Sequence, residues 1–221
     1  MAKYKKEVGG GTVGIKVSAS AVYSEATAKR FIEDAIFLYE KAIKATDELE
    51  KKRYSRLAVT AIPFYLESLS RYLFYEFFKG ELKRGDDKRT DLPETIQRFR
   101  LVYKKCLNKE LKDEDINNIR DIFTIRNRIT AHPQGRSRLV TTDNGWERDD
   151  ISITYLKLKD LPQVYSHFYP KHTHLIFTEV HDFLTNYITS IKNNLTEEQY
   201  KYIWPKELID WKSNNPSPPP Q

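Results

Sequence analysis

The stretch "DEDINNIRDIFTIRNRITAHP", residues 113–133, decides how this chain reads. Ile116, Ile119, Ile122, Phe123 and Ile129 recur at three- and four-residue spacing, which puts them on one stripe of an amphipathic helix. Asp113, Glu114 and Asp115 suit the positive start of that helix. Pro133 biases His132 out of the helical region, so the helix should end there. One residue breaks the pattern. Arg126 lies seven residues after Ile119 and four after Ile122, in the middle of the apolar stripe. A guanidinium there must be paired or must line a wet cleft, because desolvating it alone is costly. Asn127 lies on one flank and His132 near the other. Between Asp121 and Asp143 there is no acidic residue, so Arg126, Arg128, Arg136 and Arg138 stand without a local counter-charge. An acid-free run of arginines suits phosphate, which a planar fork grips with two hydrogen bonds.

Outward from this helix the chain repeats its periodicity. Ser24 can cap a long helix over roughly residues 25–52, and a second, apolar nearly all round, covers about 54–79. Pro63 should kink the second and Gly80 should end it. Asp91, with Glu94 three residues on, should open a third helix that reaches about Asn108. A last long helix follows "DLPQ" at 160–163, is interrupted at Pro170 and continues to about Leu195. A short aromatic helix precedes the tail "SNNPSPPPQ". Two segments read as β structure. Residues 12–21 alternate apolar and polar, and 138–158 carry a turn signal at Asp143-Asn144-Gly145 followed by alternating Ile151, Ile153 and Tyr155. The expected fold is therefore mainly α, an up-and-down helical bundle with a small β element. Its organisation is a glycine-rich lead-in and strand at 1–23, a bundle at 24–211 with the hairpin inserted, and a disordered proline-rich tail at 212–221.

Composition bounds the function. A chain of 221 residues, 39% apolar and 13% aromatic, supports a packed core and excludes a disordered protein. The net charge of +6 permits nucleic acid or an acidic partner without requiring one. The single cysteine, Cys106, excludes an internal disulfide and a cysteine-based metal site. The N-terminus has no apolar signal core, and the most apolar window, 57–78, carries Glu67, Arg71 and Glu76, which argues against a membrane span. A soluble, cytoplasmic protein is expected.

Arg126-Asn127-Arg128-Ile129-Thr130-Ala131-His132 resembles the signature of the HEPN family (higher eukaryotes and prokaryotes nucleotide-binding), an arginine, then Asn, Asp or His, then a histidine after a short spacer near a helix C-terminus. The coarse helix pattern resembles the family over roughly residues 24–195. The resemblance implies a bundle that dimerises and brings two such motifs together across a two-fold axis. It also implies a stand-alone, metal-independent endoribonuclease with no cofactor, in a toxin or anti-phage role, with RNA as substrate and an antitoxin or nucleotidyltransferase as possible partner. By that resemblance His132 acts as general acid/base around the ribose 2′-hydroxyl, Arg126 stabilises charge on the scissile phosphate, and Asn127 orients the site. Arg128, Arg136 and Arg138 would add phosphate contacts, with Glu67 behind Arg126.

Blander readings stand beside this one. Arg126 can be a structural arginine satisfied by Glu67, and His132 can cap a helix C-terminus. The chain would then be a non-catalytic interaction module. His167, His174 and His181 are spaced by seven, with His172 two from His174, but facing core or interface histidines explain that row better than a metal site does. Gly9–Gly11 with Gly14 and Lys16 are not a phosphate loop, since no Ser or Thr follows the lysine. Cys106 reads as a small core residue. The hairpin, with Trp146 and Arg148, reads either as an RNA-contacting arm or as a charged sheet edge.

Overall fold

The structure is a computed structural model that describes residues 19–83, 86–87, 89, 91–130, 138–142, 145–149, 161 and 168–219, with the backbone alone for 19–26, 128–130, 138–142 and 145–149. The fold is mainly helical, a helical bundle. In chain order the helices are α1 (Ala19–Lys44), α2 (Glu48–Phe78), α3 (Glu94–Leu107), α4 (Asp113–Thr130), α5 (Pro170–Ile191), a 3-10 turn at Lys192–Asn194, α6 (Glu197–Ile203) and α7 (Lys206–Asn214).

The bundle is built around α2. This helix buries Ala58, Val59, Ile62, Leu66, Leu69 and Leu73, which lie on more than one side of it, and it packs most extensively on α1. Three residues link the two, a connection short enough to leave them antiparallel. The opposing layer is α5, which contributes Ile176, Phe177, Val180, Leu184 and Ile188. Two buried polar ties fix the register. The Tyr187 hydroxyl donates to the Phe99 carbonyl at 2.9 Å, and Thr173 Oγ1 donates to the Ser55 carbonyl at 3.2 Å. Both satisfy groups that would otherwise be orphaned in the core. A cluster of Tyr39, Phe177 and Trp211, with ring centroids 5.0–5.6 Å apart, joins α1, α5 and α7.

Several boundaries differ from those the sequence predicts, each for a local reason. The first helix does not run to residue 52. Asp47, in an extended conformation, accepts the Glu50 amide at 2.9 Å and starts α2 as its N-cap. Helix α2 continues through Pro63, and its C-cap is Lys79 at φ 54°, not Gly80. Asp91 does not cap α3; its carboxylate receives Arg89 Nε at 3.4 Å, and Pro93 stands at the N-cap without a side-chain bond. Pro170 opens α5 instead of interrupting it, since the first helical position needs no amide hydrogen. The aromatic segment near the end is two helices, parted at Trp204 and Pro205. Lys212, Ser213 and Asn214, read as the start of the tail, belong to α7.

The small β element does not carry the architecture. Ala19, Ser20 and Ala21 lie in α1, so the N-terminal strand does not extend over them, and residues 12–18 lie outside the described residues. Between α4 and α5 the described residues include Arg138–Thr142 (β1) and Gly145–Asp149 (β2), antiparallel with Arg138 opposite Asp149. Residues 143–144 and 150–158 lie outside the described residues, as does most of the "DLPQ" segment.

Candidate functional site

The C-terminal half of α4 carries the residues singled out above. Ile116, Ile119, Ile122 and Phe123 are buried as the stripe predicts, and so is Ile125, which the stripe left out. Arg126 continues the stripe where it reaches the molecular surface, and its side chain is half-buried. Its Nε and Nη2 donate to Asn127 Oδ1 at 3.1 and 3.0 Å. The guanidinium carbon stands 5.3 Å from the centroid of the Phe123 ring and 5.7 Å from that of Phe64. The ring quadrupoles attract an arginine laid over two aromatic faces and so help to fix its position. The side chain therefore neither sits unpaired in the core nor reaches freely into water.

Phe64 extends this surface into α2. It is 39% exposed, and its ring stacks on Phe31 of α1 at 5.3 Å between centroids and 26° between planes. Arg126, Phe64 and Phe31 thus join α4, α2 and α1 in one ledge, with the exposed Asn127 at its edge. Glu67, expected behind Arg126, is bonded to Arg71 one turn further along α2, with Oε1 to Nη2 at 2.7 Å.

The structure brings Arg126 and Asn127 together and is silent on the remainder of the motif. His132 and Arg136 lie outside the described residues, while Arg128 and Arg138 are described only by their backbones, at the end of α4 and the start of β1. Among the described residues the histidines of the row have separate partners. His172 Nδ1 accepts the Tyr169 amide at 3.0 Å, His174 Nδ1 pairs with the Tyr39 hydroxyl at 3.0 Å, and His181 meets Asp182 at 2.7 Å. His167 lies outside the described residues, and among the described residues no group of three His, Cys, Asp or Glu side chains is placed to hold a metal. Burial pushes the Cys106 thiol up to about 11, which makes it a poor nucleophile at neutral pH.

Phe64 and Phe31 are the residues the sequence reading missed. A signal existed: Leu57, Phe64 and Arg71 are spaced by seven and share the outer face of α2. It was hidden because α2 is apolar on nearly every face, so an outward phenylalanine looks like one more core residue. No protein-family model, curated protein or solved structure matches this chain.

Proposed function

We propose that the chain is a metal-independent endoribonuclease of the HEPN kind, acting as a homodimer in a toxin or anti-phage defence role. The observation that carries the reading is the placement of Arg126: a guanidinium oriented by Asn127 and by two aromatic rings at the surface end of α4, six residues before His132. In the reaction His132 takes the proton of the ribose 2′-hydroxyl, whose oxygen then forms a bond to the adjacent phosphorus. The bond from phosphorus to the 5′-oxygen breaks, and that oxygen takes a proton back from a His132 imidazolium of the dimer, so that no proton is gained or lost overall. The products are a 2′,3′-cyclic phosphate and a 5′-hydroxyl. Arg126 stabilises the charge that grows on the phosphoryl oxygens, and its rigid mounting means little reorganisation is needed as that charge appears. Arg128, Arg136 and Arg138 add contacts to neighbouring phosphates, with β1 and β2 as the arm that carries the last. Glu67 has a secondary place, one turn along α2 from the ring that Arg126 covers, where it holds Arg71. Phe64 gives an unpaired base an aromatic edge beside the phosphate group, as stacking platforms do in single-stranded RNA binding.

A second reading draws on a different observation. Leu49 is 73% exposed and Phe37 57%, more apolar exposure than catalysis calls for, and this suits a helical module that docks a nucleotidyltransferase, a nuclease or an antitoxin. Incubating the purified wild type, Arg126→Ala and His132→Ala with total RNA in EDTA separates the two. The ribonuclease reading expects cleavage by the wild type and a loss of at least a hundredfold in each variant. Equal cleavage by all three proteins would strip Arg126 and His132 of their assigned roles, and no cleavage by any of them would leave the interaction module as the surviving reading.

A further inference from the structure

A cleft of about 520 Å³ opens between the first turns of α5 and the end of α7, walled on one side by Pro216 and Pro218. It shares no residue with α4, and its volume falls in the range of small-molecule sites, roughly 300–1,000 Å³. Among the described residues no acidic side chain lines it, while Lys171 and Lys212 are both cationic. Lys212 Nζ is held at 3.0 Å by Thr178 Oγ1, which keeps its charge at the wall of the cleft. The cleft also lies at the positive end of a 22-residue helix whose first turn contains no acid.

His174 adds the decisive donor. Tyr39 is wholly buried, and burial raises its hydroxyl to about 12, so it remains a phenol at neutral pH. Its hydrogen needs an acceptor, and among the described residues His174 Nδ1, at 3.0 Å, is placed to take it as the neutral tautomer protonated at Nε2. A neutral imidazole that accepts at Nδ1 carries its hydrogen on Nε2, and a protonated imidazole carries one there as well. In both states Nε2 is a donor. His174 is only 5% exposed, it lines the cleft, and among the described residues its ring has no second hydrogen bond. Trp211, whose ring centroid lies 5.1 Å from that of His174, likewise has a buried indole N–H without a partner among the described residues. Among the described residues of the cleft, two cations and the His174 donor meet without a counter-charge.

We infer that this cleft binds the phosphate group of a small organic phosphate, between Lys171, Lys212 and His174 Nε2, with the carbon skeleton against Leu175, Pro216 and Pro218. Two cations and a neutral donor match a dianion better than a carboxylate, and the apolar wall gives the organic part a surface that an inorganic ion would not use. The site is independent of Arg126 and survives failure of the ribonuclease reading.

The test uses the full chain. Phenyl phosphate, inorganic phosphate and benzoate are titrated calorimetrically into the wild type, Lys171→Ala, Lys212→Ala and the double variant, while the ring nitrogen signals of His174 are followed by NMR. The inference expects saturable binding of phenyl phosphate that shifts the Nε2 signal, weakens at least fivefold in each single variant and at least twentyfold in the double variant. Inorganic phosphate should shift the same signal with lower affinity. Equal affinity for phenyl phosphate and the bare ion, or for benzoate, would overturn it, as would binding untouched by the double variant or no saturable binding at all. Both lysines are partly exposed and neither side chain fills the core, so the variants retain the fold.

Discussion

Arg126 shows how much a single position can disclose. Its place on an apolar stripe is visible in the sequence, because helical spacing alone puts it there. What holds it is not visible, because Phe64 lies 62 positions earlier and reaches it only through the packing of α2 on α4. Replacing Phe64 with alanine removes one stacked ring pair and one cation–π contact at a half-exposed site. The expected cost is about 1–2 kcal/mol in urea unfolding, together with a larger loss of RNA cleavage than of stability. A second residue tests the electrostatics of the bundle. The Glu179 carboxyl is pushed upward by burial first and then by Asp182, against the opposing bond from Asn118 at 3.1 Å. Since the folded state then binds the proton more tightly than the unfolded chain, Glu179 lowers stability progressively as pH rises through and above the ordinary carboxylate range. Glu179→Gln, which can still accept from Asn118, should therefore melt higher than wild type at pH 7. The two should converge below about pH 4, where both states of the wild type are protonated. Thermal melts across that interval check the sign.

At the scale of the elements, helix positions were legible and helix ends were not. Periodicity reports which residues share a face, whereas an end depends on which of several competing polar groups wins a backbone amide. Asp91 and Asp47 illustrate this. Both precede a glutamate by three residues, yet Asp47 caps α2, while Asp91 turns to Arg89 and leaves α3 uncapped by any side chain. Asp47→Ala should accordingly cost about 1 kcal/mol of unfolding free energy, and Asp91→Ala should cost less than half of that. The charged loop before α3 rests on a different kind of bond. Asp87 is 5% exposed, accepts the Arg89 amide at 2.9 Å and takes Arg100 Nη1 with both carboxylate oxygens. Asp87→Ala leaves the largely buried Arg100 guanidinium with Glu110 at 3.2 Å as its remaining carboxylate, and should cost about 2 kcal/mol, readable as a shifted urea midpoint with an unchanged slope.

For the whole molecule, the bundle class followed from several long amphipathic helices with few other ways to bury their faces, and no described helix is long and apolar enough to cross a membrane. The strand expected at 12–21 failed at its end, because alternation over ten residues competes poorly with a helix that can start earlier and dock on α2. In the proposed function the phosphate contacts come from the acid-free run around Arg126 and not from the net charge of +6 as such. Binding to single-stranded RNA should weaken with salt, and Arg136→Ala should reduce the slope of log affinity against log salt by about 0.7. The most direct test of the proposed ribonuclease activity is the chemistry of the RNA ends it would leave. RNA treated with the wild type or with His132→Ala in EDTA is sequenced after selective capture of 2′,3′-cyclic phosphates and of 5′-hydroxyls. The account predicts paired new ends of both kinds at the same positions with the wild type and none with the variant. Ends bearing 3′-hydroxyls and 5′-phosphates, or the same cyclic ends from His132→Ala, would contradict it.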